Sequence, residues 1–105
     1  MWILKSCEPD DGTLIFRLRN GATKTIGRAA RADFIVDAAL VSRLHCQVTA
    51  TAEHLEVVDL SSTNGTYVNG KRVKRASLIA GDRLRIGRVE MKVGRQRPRP
   101  AAPHT

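Results

Sequence analysis

The sequence is poor in cysteine and lacks long apolar runs, and each scarcity excludes a class of protein. Two cysteines, Cys7 and Cys46, are too few for a disulfide scaffold or a four-ligand zinc site, so both thiols are expected to be reduced and partly buried. No run of about eighteen apolar residues is present, so no membrane span is expected. The first residues lack the features of a secretion signal, which favours an intracellular location, in the cytoplasm first and the nucleus second.

Catalytic and nucleic-acid-binding patterns are also missing. No carboxylates are spaced for divalent metals and no glycine-rich phosphate loop precedes a helix, so no enzyme, metal or cofactor is predicted. Aromatic residues make up 4% of the chain, too few for a platform that stacks bases. The net charge of +8, three units of which come from Arg95, Arg97 and Arg99, nevertheless favours anionic partners. A weak contact with nucleic acid is therefore kept as an alternative.

About ten segments have the length of a strand, and none of the chain keeps a helical period. This pattern predicts an antiparallel β-sandwich. Asn20-Gly21 predicts a two-residue hairpin, because both residues tolerate a positive φ. The nearest approach to a helix, residues 28–32, is too short to be stable alone. The first predicted strand starts at residues 3–4, and the others are residues 14–18, 24–26, 34–36, 46–50, 55–58, 66–68, 71–73, 83–86 and 89–93.

The carboxyl-terminal segment 94–105 differs in composition from the rest. It contains Pro98, Pro100 and Pro103 together with alternating arginines and almost no apolar side chain. Such a segment cannot bury enough surface to offset the entropy of ordering it. We therefore predict one folded domain over residues 1–93, followed by a flexible basic tail over 94–105.

Three loops carry polar side chains that could bind an anion. They contain Gly27-Arg28, residues 42–45, and the serine-, threonine- and asparagine-rich stretch 59–70. Taken singly, each is typical of a structural turn, because these side chains cap their own backbone. A guanidinium fork, hydroxyls and an amide that meet at one point would instead bind a tetrahedral dianion.

The order and spacing of these residues resemble a forkhead-associated (FHA) domain. The shared motifs are Gly27-Arg28, Ser42-Arg43-Leu44-His45, Ser62-Thr63-Asn64-Gly65-Thr66, Asn69-Gly70, and Gly81-Asp82-Arg83-Leu84 with Ile86-Gly87. The resemblance covers residues 3–93. It implies an all-β sandwich of about eleven strands with the binding loops at one end. It also implies a signalling adaptor without catalysis, which recognises phosphothreonine in partner proteins phosphorylated by a Ser/Thr kinase.

The resemblance also assigns roles to single residues. The side chains that would contact the phosphate are Arg28, Ser42, Arg43 and Thr63. Asn64 would contact the backbone of the bound peptide. The residues that would have structural roles at the site are Gly27, His45, Gly65 and Thr66. Gly27 would let the backbone turn so that Arg28 is aimed at the phosphate.

One further expectation concerns specificity. The loop before Ser42, residues 38–41, would read the residue three positions after the phosphothreonine, and its apolar composition favours an apolar residue there. The residues leave one further alternative open, an FHA fold that binds proteins independently of phosphate.

Overall fold

Eleven strands make up the fold, in a computed structural model that describes residues 1–6 and 14–96. Residues 28–32 form turns and bends, and the described ranges contain no helix that is long and apolar enough to cross a bilayer. The strands are β1 (Trp2–Ser6), β2 (Ile15–Leu18), β3 (Thr23–Gly27), β4 (Phe34–Ile35), β5 (Cys46–Ala50), β6 (Leu55–Asp59), β7 (Thr66–Val68), β8 (Lys71–Val73), β9 (Arg75–Leu78), β10 (Arg83–Ile86) and β11 (Val89–Arg95).

The strands form two sheets, so the predicted β-sandwich is confirmed. One sheet has six strands in the order β2-β1-β11-β10-β7-β8, and the other has five in the order β4-β3-β5-β6-β9. Neighbouring strands pair antiparallel, except that β4 runs parallel to β3, with Phe34 opposite Ile26. The sandwich is therefore antiparallel apart from this short edge strand.

The core lies between the sheets and follows from the period of two along each strand. In β5, Cys46, Val48 and Ala50 are buried while the residues between them are half-buried. Successive side chains of a strand point to opposite faces, so one apolar row per strand supplies the core. Phe16 of β2 and Phe34 of β4 stack with ring centroids 4.5 Å apart and join the two sheets near their edges.

Cys46 is the cysteine that the structure describes. Cys46 is a fully buried free thiol, deeper than the partial burial expected from the sequence. Its burial, with the nearby Asp59 carboxylate as a smaller cause, raises the pKa of the thiol to about 12. The thiol therefore stays protonated and unreactive at neutral pH. Cys7 lies outside the described residues.

The predicted hairpin at Asn20-Gly21 is wrong, although a turn is present. Gly21 has a φ of 89°, and the amide of Ala22 donates to the carbonyl of Arg19 at 2.9 Å. However, β2 pairs with β1 in the six-stranded sheet, whereas β3 pairs with β4 and β5 in the other sheet. The turn therefore carries the chain from one sheet to the other, because turn chemistry sets a local reversal and not the partner of each strand.

The sequence prediction missed one strand and ended the last strand too early. β9 was not predicted from the sequence. It contains one fully buried residue, Leu78, and it is a strand because it pairs with β6, where Leu78 lies opposite Leu55. β11 runs through Arg95, two residues beyond the predicted domain end at Val93, with Gly94 opposite Ile3 of β1. Residues 97–105 of the predicted tail lie outside the described residues.

Candidate functional site

Sheet register brings the three polar loops to one end of the sandwich. Ile26 near the end of β3 lies opposite Cys46 at the start of β5, and Cys46 lies opposite Asp59 at the end of β6. The loops that follow β3, precede β5 and follow β6 therefore leave the five-stranded sheet side by side. Residues that are far apart in the sequence become neighbours through this register.

The first two loops are joined directly by their backbones. The amide of Arg28 donates to the carbonyl of Ser42 at 3.0 Å, and the amide of Ala29 donates to the carbonyl of Arg43 at 3.1 Å. A Cβ on Gly27 would lie 2.0 Å from the Arg43 carbonyl oxygen, a separation that no side chain tolerates. Gly27 is not among the glycines with positive φ, so the reason for glycine is this close approach and not the turn predicted from the sequence.

His45 ties the second loop to the third. Its ring is fully buried, and Nδ1 accepts a hydrogen bond from the Ser42 amide at 3.0 Å. Since Nδ1 is an acceptor, Nε2 carries the proton and donates to the Gly65 carbonyl, 2.8 Å away. Both ring nitrogens are thus satisfied within the protein. The geometry suits the structural role that the sequence predicted for His45.

The Ser42 hydroxyl accepts a hydrogen bond within the protein but donates none among the described residues. Its oxygen accepts a hydrogen bond from the Thr63 amide at 3.0 Å, which joins the second and third loops a second time. Among the hydrogen bonds of the described residues, the Ser42 hydroxyl donates none. A hydroxyl can donate one hydrogen bond as well as accept. Half-buried Ser42 therefore holds a fixed position and keeps a donor for a ligand.

Asn64 and Thr63 stand exposed at the rim of this cluster. The Asn64 side-chain nitrogen donates to the carbonyl of Leu40 at 3.0 Å, so its amide oxygen remains available as an acceptor. Leu40 holds a φ of 71°, an uncommon conformation for a residue with a side chain, and it is 45% exposed. The asparagine thus fixes the loop that precedes Ser42 through its side-chain nitrogen.

Arg28 and Arg43 share an open depression. It has a volume of about 300 Å³ and is lined by these two arginines, Ala29 and Asp37. Both guanidinium groups belong to exposed residues, and no carboxylate of the described residues lies within 4.0 Å of either. Two cations and one acid leave the depression with a positive excess, and guanidinium groups suit the oxygens of a phosphate.

Asp59 organises the third loop from beneath. One of its oxygens accepts hydrogen bonds from Ser62 Oγ at 2.5 Å and Thr66 Oγ1 at 2.7 Å, and Ser62 Oγ in turn accepts from the Gly65 amide at 3.0 Å. Burial opposes ionisation of Asp59, but the hydrogen bonds from Ser62 and Thr66 outweigh it and hold the pKa of the carboxyl below its ordinary value. The sequence prediction gave Asp59 no role, although aspartate is a residue type whose side chain often bonds the backbone of a turn.

This arrangement predicts an acid-sensitive loop. The pKa of Asp59 is lower in the folded state than its value near 3.8 in the unfolded state. The ionised carboxylate therefore contributes fully to the free energy of unfolding above pH 3.8, and this contribution is lost as the pH falls through the folded-state pKa. We expect Asp59→Asn to lower the free energy of unfolding at neutral pH by about 1–3 kcal/mol. Urea denaturation of both proteins between neutral pH and about pH 3 measures this. If the difference in the free energy of unfolding between the wild type and Asp59→Asn did not become smaller at low pH, the proposed role of the carboxylate would be wrong.

The structure brings all nine residues predicted for the site to one end of the sandwich, seven of them in the loops and two, Gly27 and Thr66, at the ends of β3 and β7. Thr66 is buried and bonded to Asp59, so it supports the loop from inside, while Gly65 has a φ of 89° that suits glycine. Arg72 of β8 was missed: its Nε lies 2.7 Å from where a Cβ on Gly65 would stand, so this side chain covers the loop. Residues 1–6 and 14–96 hold no group of three metal-ligating side chains.

Comparison with known proteins identifies the family. The family model described as FHA domain matches residues 24–87, and the chain belongs to this family. Among curated proteins, the ABC transporter ATP-binding/permease protein Rv1747 of Mycobacterium tuberculosis is 40% identical over 80 residues, 76% of this chain and 9% of that protein. The glycogen accumulation regulator GarA of Mycolicibacterium smegmatis is 38% identical over 69 residues, 66% of this chain and 44% of that protein.

Solved structures agree with this assignment. A structure from a structural and functional analysis of phosphothreonine-dependent FHA domain interactions superimposes with a TM-score of 0.79 at 32% identity, covering 92% of this chain and 98% of that one. The chain spans less than half the length of the curated relatives it matches, from 9% to 49%. The likeness therefore covers only a part of each of these relatives.

Proposed function

We propose that this domain binds phosphothreonine in partner proteins and acts as a non-catalytic adaptor in Ser/Thr kinase signalling. The observation that carries the proposal is the pair of guanidinium groups of Arg28 and Arg43 on one depression, together with the unused hydroxyl hydrogen of Ser42, whose carbonyl accepts from the Arg28 amide at 3.0 Å. These groups are donors without an acceptor of their own among the described residues, and a phosphate dianion supplies up to three acceptor oxygens. Phosphothreonine is made by kinases that use ATP, so we also propose that the domain acts inside the cell, where ATP is available.

Each residue predicted to contact the phosphopeptide lies in a position compatible with its role. Arg28 and Arg43 would donate to the phosphate oxygens as charged forks, and Ser42 would donate the hydroxyl hydrogen that the protein does not use. Thr63 is exposed beside Ser42, within the same loop junction. Asn64 would accept a hydrogen bond from the backbone of the bound peptide through its free amide oxygen. The apolar loop 38–41 would contact the residue three positions after the phosphothreonine.

A degenerate phosphothreonine peptide library tests the proposal and measures specificity in one experiment. We expect the domain to retain phosphorylated peptides and to enrich an apolar residue three positions after the phosphothreonine. The same library without phosphate is the control. Equal retention of both libraries would reject phosphate recognition and favour a phosphate-independent interaction module.

Phosphoserine should bind more weakly than phosphothreonine. The two residues differ by one γ-methyl group, and burial of one methyl is worth about 1 kcal/mol, or about a fivefold change in Kd. Calorimetric titration of two peptides that differ only at this residue measures the difference. Equal affinities would mean that the site has no contact with the methyl group.

A further inference from the structure

The outward face of the six-stranded sheet is strongly basic. Register places six cations on this face, which we call the basic face, with Glu90 as the one acid among its described residues. Glu90 pairs with Arg83 at 3.1 Å, and no other carboxylate of residues 1–6 and 14–96 lies within 4.0 Å of these cations. The cations are Lys5, Arg17, Arg72, Arg83, Arg85 and Lys92.

The outward face of the five-stranded sheet provides the contrast. Register places Arg75 and Glu56 there, 4.0 Å apart, and the other outward positions are occupied mainly by threonine, serine and glutamine. The two faces therefore differ sharply in charge, although both are exposed surfaces of one small domain. An even spread of the excess lysine and arginine over the surface would not produce this difference.

The basic face begins at the candidate phosphate site. Arg72 lies against Gly65, in the loop that carries Thr63 and Asn64. From Arg72 on β8 to Arg17 on β2 the face crosses five strand spacings, about 24 Å in all. An extended chain rises about 3.3 Å per residue, so about seven residues would cross the face. A peptide whose phosphothreonine occupies the site could therefore continue over these cations.

A groove lies on the same face. It has a volume of about 410 Å³, and its lining includes the apolar residues Ile3 and Val93 as well as Gly94, Lys5 and Lys92. Gly94 lies opposite Ile3 in the register and carries no side chain to fill the space. The surface of the groove is mainly apolar, and cationic residues contribute to its lining. A ligand that matches it presents an apolar side chain flanked by acids.

We propose that the basic face binds an acidic segment of the same partner that presents the phosphothreonine, with an apolar side chain seated in the groove. This rests on the proposed function and adds a second recognition surface to it. Carboxylates would pair with the exposed cations, and such pairs act mainly through additive, salt-dependent attraction. Joining the two sites in one chain raises the effective concentration of the second contact.

Acidic protein fits this face better than nucleic acid does. Single-stranded nucleic acid needs exposed aromatic rings on which bases stack. The one aromatic residue described on this face is Tyr67, and the Arg85 guanidinium already lies over its ring, 4.1 Å from the centroid. An apolar groove offers nothing to a phosphate backbone, whereas a peptide carries apolar and acidic side chains together.

The test compares a short library-selected phosphopeptide with versions extended at either end by about seven alternating glutamate and leucine residues. An extension at the end of the peptide that leads onto the basic face should raise the affinity about tenfold at low salt, and this gain should fall as salt is added. An extension with glutamine in place of glutamate is the peptide control. In Lys5→Gln/Lys92→Gln the gain should fall at least about threefold, while the short peptide binds as before. The matched variant Arg31→Gln/Lys74→Gln removes two exposed cations that lie outside the basic face and its groove, and it should keep the gain.

Several results would overturn this assignment. They are no gain at either end, a gain that survives Lys5→Gln/Lys92→Gln, or a single-stranded DNA that binds the basic face more tightly than the acidic segment does. Failure of the proposed function reads differently, since the short phosphopeptide would then not bind at all. In that case the unphosphorylated acidic segment, followed by amide chemical shifts of residues 3, 5, 92 and 94, still reports on the basic face.

Discussion

Arg28→Ala is expected to lower phosphothreonine-peptide affinity by at least about a hundredfold with little change in stability. A hydrogen bond to a charged partner is worth about 1.5–3 kcal/mol, and the guanidinium can offer more than one to a phosphate. The side chain is exposed and makes no ion pair with the described residues, so its loss should not weaken the fold. Calorimetric titration gives the affinity and thermal unfolding gives the stability.

Three variants make the result specific. Arg28→Lys keeps the charge but loses the fork, so it should recover part of the affinity. Arg31→Ala removes an exposed arginine from the same loop that does not line the depression, and it should bind like the wild type. Ser42→Ala should also bind far more weakly, because it loses the hydroxyl donor and the contact with the Thr63 amide. Micromolar binding retained by Arg28→Ala or Ser42→Ala would reject the site.

Gly27→Ala should damage the fold and the site together. The added Cβ would stand 2.0 Å from the Arg43 carbonyl oxygen and 2.9 Å from the Leu44 Cα, both of them backbone atoms that cannot rotate away. The loops that carry Arg28 and Ser42 must then separate and lose the hydrogen bonds that join them. We expect a loss of about 2–4 kcal/mol in the free energy of unfolding and at least about tenfold in affinity.

Gly94→Ala is the matched control for this substitution. Its Cβ would meet nothing closer than 3.9 Å, so it should unfold at nearly the wild-type denaturant concentration. If Gly27→Ala were as stable as Gly94→Ala and bound peptide normally, the close approach of the two loops would have no role in shaping the site.

The sequence predicted which residues would lie together, but not every reason for their presence. An arginine, hydroxyls and an amide were predicted to bind an anion from their chemistry, and the resemblance to FHA domains assigned the individual residues. The structure brings these residues together at one sheet end. The reason for Gly27 was misassigned, because contact with the backbone of Arg43 is made across sixteen positions of sequence and leaves no local trace. Asp59 was overlooked for a related reason: its partners Ser62 and Thr66 resemble ordinary turn residues until their hydrogen bonds are seen.

The division between sequence and tertiary structure has a physical basis. Alternating apolar residues and turn-forming residues act over a few positions, so the chain alone determined that this protein is an all-β sandwich with polar loops. Which strand pairs with which depends on burial against distant residues. That choice placed β2 and β3 in different sheets despite Asn20-Gly21, made a strand of residues 75–78, and gathered six cations on one face. Only the folded register decides what lies beside what, because the free energy that selects it comes from the whole core.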